Sequence, residues 1–144
     1  MYALKMPGAE APLEAKWAMC CQPATQACDD ARGPEAGWID IERPLPAAAA
    51  LAELGRYSLD RPDRCFDDEV VWYRASFDCA DAHDLQGAEL VFDGLATVAD
   101  VWLNGEHVLH AHNMFRQWTV PLAVRLRAKA NCLLMRFVAL NVRL

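Results

Sequence analysis

LVFDGLATVADVWLNGEHVLHAHNMF, residues Leu90–Phe115, carries the densest structural signal in the chain. Leu90 and Phe92 alternate with Glu89, Val91 and Asp93, and beyond Gly94 the face made by Ala99, Val101 and Leu103 opposes Asp100 and Trp102. Side chains on a strand point to opposite faces in turn, so a period of two predicts two half-buried strands. Asn104-Gly105 then precedes Glu106-His107-Val108-Leu109-His110. Asn-Gly between two alternating runs predicts a tight hairpin, because a type I′ turn needs positive φ at both central residues. Ala111-His112-Asn113 turns the chain again, and Met114-Phe115 are expected to re-enter the core.

The order F-D-G-L-A-T-V-A-D-V-W-L-N-G, followed after a short strand by H-N-M-F, resembles the N-terminal sugar-binding-type domain of β-mannosidases, in the glycoside hydrolase family that also holds β-galactosidases and β-glucuronidases. Trp72-Tyr73-Arg74 with Phe77 is similar to that family's W-Y-R-x-x-F strand. Asn131 with the run Leu133–Phe137 is similar to its G-x-N-x-L-x-x-x-F strand. The likeness extends over about residues 38–144. It departs locally where the family carries V-P-G-T-V, since this chain reads Arg43-Pro44-Leu45-Pro46-Ala47.

Further strands flank the central stretch. Val71, Tyr73, Ala75 and Phe77 alternate with Trp72, Arg74, Ser76 and Asp78. Gln117–Val120 forms another run, stopped by Pro121. Leu122–Leu126 is too brief to distinguish a helical turn from a short strand. From Cys132 to Leu144 the alternation returns, with Leu133, Met135, Phe137 and Ala139 inward. On the opposite face Leu134, Val138 and Leu140 are nearly as apolar, with Arg136 the only charge, and a strand apolar on both faces expects cover on both. That second cover is expected from residues beyond Leu144 or from neighbouring domains, and an exposed patch there would promote self-association. Upstream, Trp38–Glu42 suits an edge strand, and Ala47–Leu54 a short helix with Pro46 at its start and Gly55 past its end.

With 144 residues, 54% of them apolar, the chain suffices for one core. A net charge of −6, with no run of Lys or Arg, argues against a nucleic-acid surface. No stretch approaches the length of apolar sequence that a membrane helix needs. Six scattered cysteines without CxxC spacing argue against a zinc knuckle or disulfide framework and read as reduced thiols in a cytoplasmic protein. Residues 1–37, broken by Pro7, Gly8, Pro12, Pro23, Gly33 and Pro34, are expected to be a poorly patterned arm ahead of a domain spanning 38–144. Many short strands with regular turn signals predict an all-β sandwich. The resemblance makes it a jelly-roll β-sandwich of the galactose-binding type with one short helix, and implies that the domain is truncated at its C-terminal end.

Residues 56–69 gather Asp60, Asp63, Asp67, Asp68 and Glu69, at spacings that match no calcium loop, so they read as a solvated acidic loop. The resemblance nevertheless makes Asp68 and Glu69 sugar-contacting candidates. Trp72 and Arg74, two apart on one strand face, could stack a sugar ring, though such pairs more often make an inter-sheet or interdomain contact. His110 and His112 would share a strand face, yet no carboxylate sits at matching spacing, so neither a metal site nor any cofactor is expected. Ser58 and Ser76 lie in no nucleophile-elbow context, and no residue is assigned a catalytic role. By resemblance the catalytic glutamates of the family sit in a later barrel. The expected function is therefore that of an N-terminal non-catalytic module of a β-mannosidase-like glycoside hydrolase, meeting a β-linked sugar or oligosaccharide through the full-length enzyme and its downstream domains. The alternative is a stand-alone carbohydrate-binding or protein-interaction module.

Overall fold

The computed structural model describes residues 2–6, 9–25, 31–58, 60, 64–79, 87–122 and 126–143. Among these residues ten strands and two short α-helices follow in the order β1 (Tyr2–Met6), β2 (Ala9–Pro12), β3 (Lys16–Pro23), β4 (Ile39–Ile41), α1 (Ala47–Glu53), β5 (Glu69–Phe77), β6 (Glu89–Asp93), β7 (Ala99–Leu103), β8 (Glu106–Ala111), β9 (Gln117–Pro121), β10 (Asn131–Phe137) and α2 (Leu140–Arg143), with one 3-10 turn, Phe66–Asp68, just before β5. They build a four-stranded sheet, β2-β1-β6-β9, and a six-stranded sheet, β4-β3-β5-β10-β7-β8. Each pairing is antiparallel. The sequence-predicted all-β sandwich with a short helix is the architecture observed.

The two sheets bury one large core between them. Leu90 and Phe92 of β6 and Val120 of β9 meet Trp17 and Met19 of β3, Tyr73 and Ala75 of β5, Val101 and Leu103 of β7, and Leu133 and Met135 of β10. The helix α1 adds Ala50 and Leu51. Gly55, with φ of +70°, closes it by donating its N–H to the Ala52 carbonyl at 3.0 Å. That is the left-handed position where glycine carries no Cβ penalty.

The hairpin forms as its sequence predicts. Asn104 and Gly105 have φ of 51° and 84°, the two positive values of a type I′ turn. Asn104 also ties the turn to the start of β10: its Oδ1 accepts from the Cys132 N–H at 2.9 Å, and its Nδ2 donates to Asn131 Oδ1 at 3.1 Å. Asn131, almost wholly buried, receives the Arg127 N–H on that oxygen and donates Nδ2 to the Arg127 carbonyl at 2.7 Å. A buried amide is tolerable because its groups are met.

Four expectations change. The arm expected over 1–37 contains β1, β2 and β3, and β3 lies inside the six-stranded sheet between β4 and β5. Met114 and Phe115 do not re-enter the core: they stand at an exposed turn, Phe115 with 91% of its surface accessible. The last strand ends at Phe137, and Leu140–Arg143 is helical. Its second apolar face finds cover within the chain. Leu134 is buried with Cys20, Val70, Trp72 and Trp102, against Ala24, Ala31 and Trp38. The strap 31–38 crosses that face so closely that a Cβ on Gly33 would lie 3.2 Å from a Leu134 methyl. Of the ambiguous segment Leu122–Leu126, residues 123–125 lie outside those described.

Candidate functional site

At one end of the sandwich, four separate pieces of chain frame a cleft of about 400 Å³. They are the β4–α1 connection Pro44–Ala47, the segment Phe66 to Tyr73, the link Gly94 to Thr97, and the end of β10 with Val138 and Leu140. The walls are mostly apolar and aromatic. Phe66 packs edge-on to Tyr57 with ring centres 5.1 Å apart, and Phe137 edge-on to Tyr73 at 5.7 Å. The Tyr73 hydroxyl donates to the Leu45 carbonyl at 2.6 Å, fixing the β4–α1 connection over the strand. Asp67, Glu69 and Thr97 supply polar groups. A concave, chiefly apolar cleft with a few convergent polar groups has the general form of a small-molecule site.

The sequence-predicted site residues are not brought together. Glu69 lines the cleft, with each carboxylate oxygen engaged by Arg64, Nη2–Oε1 at 2.8 Å and Nε–Oε2 at 2.9 Å. This is a bidentate fork that fixes its orientation. Asp68, its neighbour, accepts from Asn141 Nδ2 at 2.6 Å and pins α2 to the segment before β5. Trp72 and Arg74 point to the other face of the sheet. Trp72 has no accessible surface, so it offers nothing to a sugar ring. Arg74 lies over Trp38, 4.2 Å from the ring centre. Tyr73, Phe66 and the Pro44–Ala47 segment were missed; only the inward phase of Tyr73 in β5 hinted at them.

The outer face of the six-stranded sheet holds a second cluster, one that spacing did not reveal. Strand register lines up Cys20, Trp72, Arg136, Asp100 and His110 in one row across β3, β5, β10, β7 and β8. Asp100 Oδ1 lies 3.0 Å from His107 Nε2 and 2.8 Å from His110 Nδ1, and Oδ2 accepts from Arg136 Nη2 at 2.7 Å. Residues three apart on a strand would normally face opposite ways. A register irregularity beside Trp102 pairs it with His107 and Val101 with Leu109, leaving Val108 as the extra residue. Both histidines therefore reach Asp100. Burial pushes the Asp100 pKa up, but hydrogen bonds from His110, His107 and Arg136 outweigh it and hold the carboxyl at about 2. Arg136 lies beside both Trp72 and Trp102, 5.9 and 5.6 Å from their ring centres. The two indoles stack at 5.8 Å.

Residues 54–142 match a family model described as glycosyl hydrolase 2 galactose-binding domain-like, and the chain belongs to that family. Its fold recurs in a β-D-mannosidase from Dictyoglomus thermophilum (TM-score 0.66, 22% identity, 88% of this chain, 15% of that one). A β-glucuronidase from Faecalibacterium prausnitzii is also similar (TM-score 0.64, 17% identity, 95% of this chain, 21% of that one). So is an exo-chitosanase from Amycolatopsis orientalis (TM-score 0.69, 19% identity, 86% of this chain, 16% of that one). The chain thus spans only about a fifth or less of those proteins. No curated protein sequence matches it.

Proposed function

We propose that this module serves a β-mannosidase-like glycoside hydrolase, and that its cleft meets a β-linked sugar or oligosaccharide in the full-length enzyme, beside a catalytic domain supplied by other residues. The observation that carries this reading is the cleft at the end of a galactose-binding-like sandwich, with aromatic walls and Glu69 held rigidly at its edge. Aromatic surface suits the apolar face of a sugar, and a fixed carboxylate accepts from its hydroxyls. Arg64 engages both oxygens of Glu69, which favours an orienting role over proton transfer. Retaining hydrolysis would require a second carboxyl about 5 to 5.5 Å away, with one of the pair tuned as acid. A cytoplasmic setting accords with the five described cysteines, none of which is joined to another in a disulfide. No helix among the described residues is long and apolar enough to cross a membrane.

The test is an NMR titration of the chain with methyl β-mannoside, alongside an assay on aryl β-mannosides. Expected are weak shifts, with a dissociation constant of about 1 mM, concentrated at the amides of Phe66, Glu69 and Thr97, and no turnover. Turnover abolished by Glu69→Gln would overturn the non-catalytic reading, and shifts confined to other surfaces would remove the cleft from it.

A further inference from the structure

Phe115 is the most exposed large apolar side chain among the described residues, and it is presented by a stiffly built turn. Asn113 Oδ1 accepts from the Phe115 N–H at 2.9 Å, and the Asn113 carbonyl accepts from the Trp118 indole at 3.2 Å. Arg116 lies over the Trp118 ring at 4.5 Å, and His112 stands against its other neighbours at 5.7 Å from Trp118 and 6.3 Å from His110. Gly94 backs the turn so closely that a Cβ there would lie 2.8 Å from the Met114 carbonyl oxygen. A lone exposed apolar residue needs no explanation. A pre-organised tip of Met, Phe, Arg and Trp is different, because these residue types are enriched at protein interfaces and a rigid anchor loses little entropy on docking.

The same molecule carries a matching socket. The cleft is apolar within, and exposed Asp67 stands on its lining beside Glu69, whereas the tip carries Arg116 and His112. Gly94 both backs the tip and lines the cleft, so the two features share one end of the sandwich. A tip and a socket side by side can be satisfied reciprocally across a two-fold axis, which closes at two copies.

We propose that two copies of this chain pair through this end, with Phe115 of each entering the cleft of the other and Arg116 meeting the partner copy's exposed Asp67. Two aromatic anchors of about 150–250 Å² each make a small interface, so the dimer is weak and transient. Sedimentation velocity on the chain at concentrations up to about 1 mM should show a monomer–dimer equilibrium, weakened by salt. Phe115→Ser should raise the dissociation constant at least about tenfold while leaving the melting temperature unchanged, because that side chain touches solvent. Arg116→Glu and Asp67→Arg should each weaken pairing, and their combination in one chain should restore part of it. A chain that stays monomeric throughout, a Phe115→Ser variant that dimerises as the parent does, or charge reversals whose effects simply add would each overturn the proposal. If methyl β-mannoside occupies the cleft, it should compete with dimerisation; competition without dimer loss in Phe115→Ser would also count against it.

Discussion

The six-stranded sheet has two buried faces built on different physics. Inward, Tyr73 and Ala75, Ala99 and Val101, Leu133 and Met135 form an aliphatic and aromatic layer with almost no polar side chain. Outward, the same three strands present Trp72, Asp100, Trp102, Leu134 and Arg136, under a strap fixed by the Trp38 indole donating to the Pro34 carbonyl at 2.8 Å. The inner layer is held by burial, which is non-directional and tolerant of volume-conserving exchange. The outer layer is held by a few charges whose cost is offset only while every partner is in place. The faces should therefore fail differently, and four experiments separate them.

The largest effect should come from Asp100→Ala, which leaves the Arg136 guanidinium, 15% exposed, without its counter-charge beside two indoles. Breaking one side of a buried pair costs roughly 3–5 kcal/mol, so urea unfolding should report a loss of about 4 kcal/mol. A loss under about 1 kcal/mol would mean that the cluster behaves as an ordinary surface pair. Next comes acid. Asp100 is held at about 2 against an ordinary 3.8, so its contribution is complete above pH 3.8 and disappears as the pH falls toward 2. The stability gap between the parent chain and Asp100→Asn should narrow by about 2 kcal/mol between about pH 5 and about pH 2. A gap that stays constant would assign the bonds no proton linkage.

Third in size is Gly105→Val, which probes the turn that sets the outer register. Nothing lies within 4 Å of a Cβ built on Gly105, so the expected penalty is one of backbone alone, a β-branched residue forced to φ near 84°. Strain of this kind costs about 1–3 kcal/mol, and a drop of about 1 kcal/mol in stability is expected. An unaltered melting temperature would show that the turn relaxes to another type without cost.

How far the sequence revealed these faces depended on contrast. In β5 and β7 the inward and outward residues differ in polarity, so period two was readable, and Asn104-Gly105 announced its turn chemically. In β3 both phases are apolar, Trp17 and Met19 inward and Ala18 and Cys20 outward, because the strand is covered on both sides. Alternation vanished, and the surrounding prolines then read as an arm. Phe115 departs for the opposite reason: its hydrophobicity predicts burial, whereas the turn displays it. The cleft draws on residues from positions 44 to 140, and the Asp100 cluster depends on an irregularity at Val108 that no local pattern marks. Such features arise from register between distant strands, which a single sequence does not display.

The smallest net effect should come from the most drastic change. Replacing Asp100 by Leu and Arg136 by Met together removes the whole ion pair and leaves side chains of related length among Trp72, Trp102 and Leu134. Buried pairs exchanged for well-packed apolar residues are often neutral or stabilising, because the desolvation of both charges disappears along with their attraction. His107 and His110 lose a partner, but their side chains are each 48% exposed, so water replaces it. Arg136 Nε, buried without a hydrogen-bond partner, is removed at the same time, which recovers part of the loss. The double variant should accordingly lie within about 1 kcal/mol of the parent while each single change costs far more, a coupling of several kcal/mol in a double-mutant cycle. If the two single losses simply add, the outer face is not a charge clamp but a second aliphatic layer with polar residues at its margin, and the contrast between the faces falls.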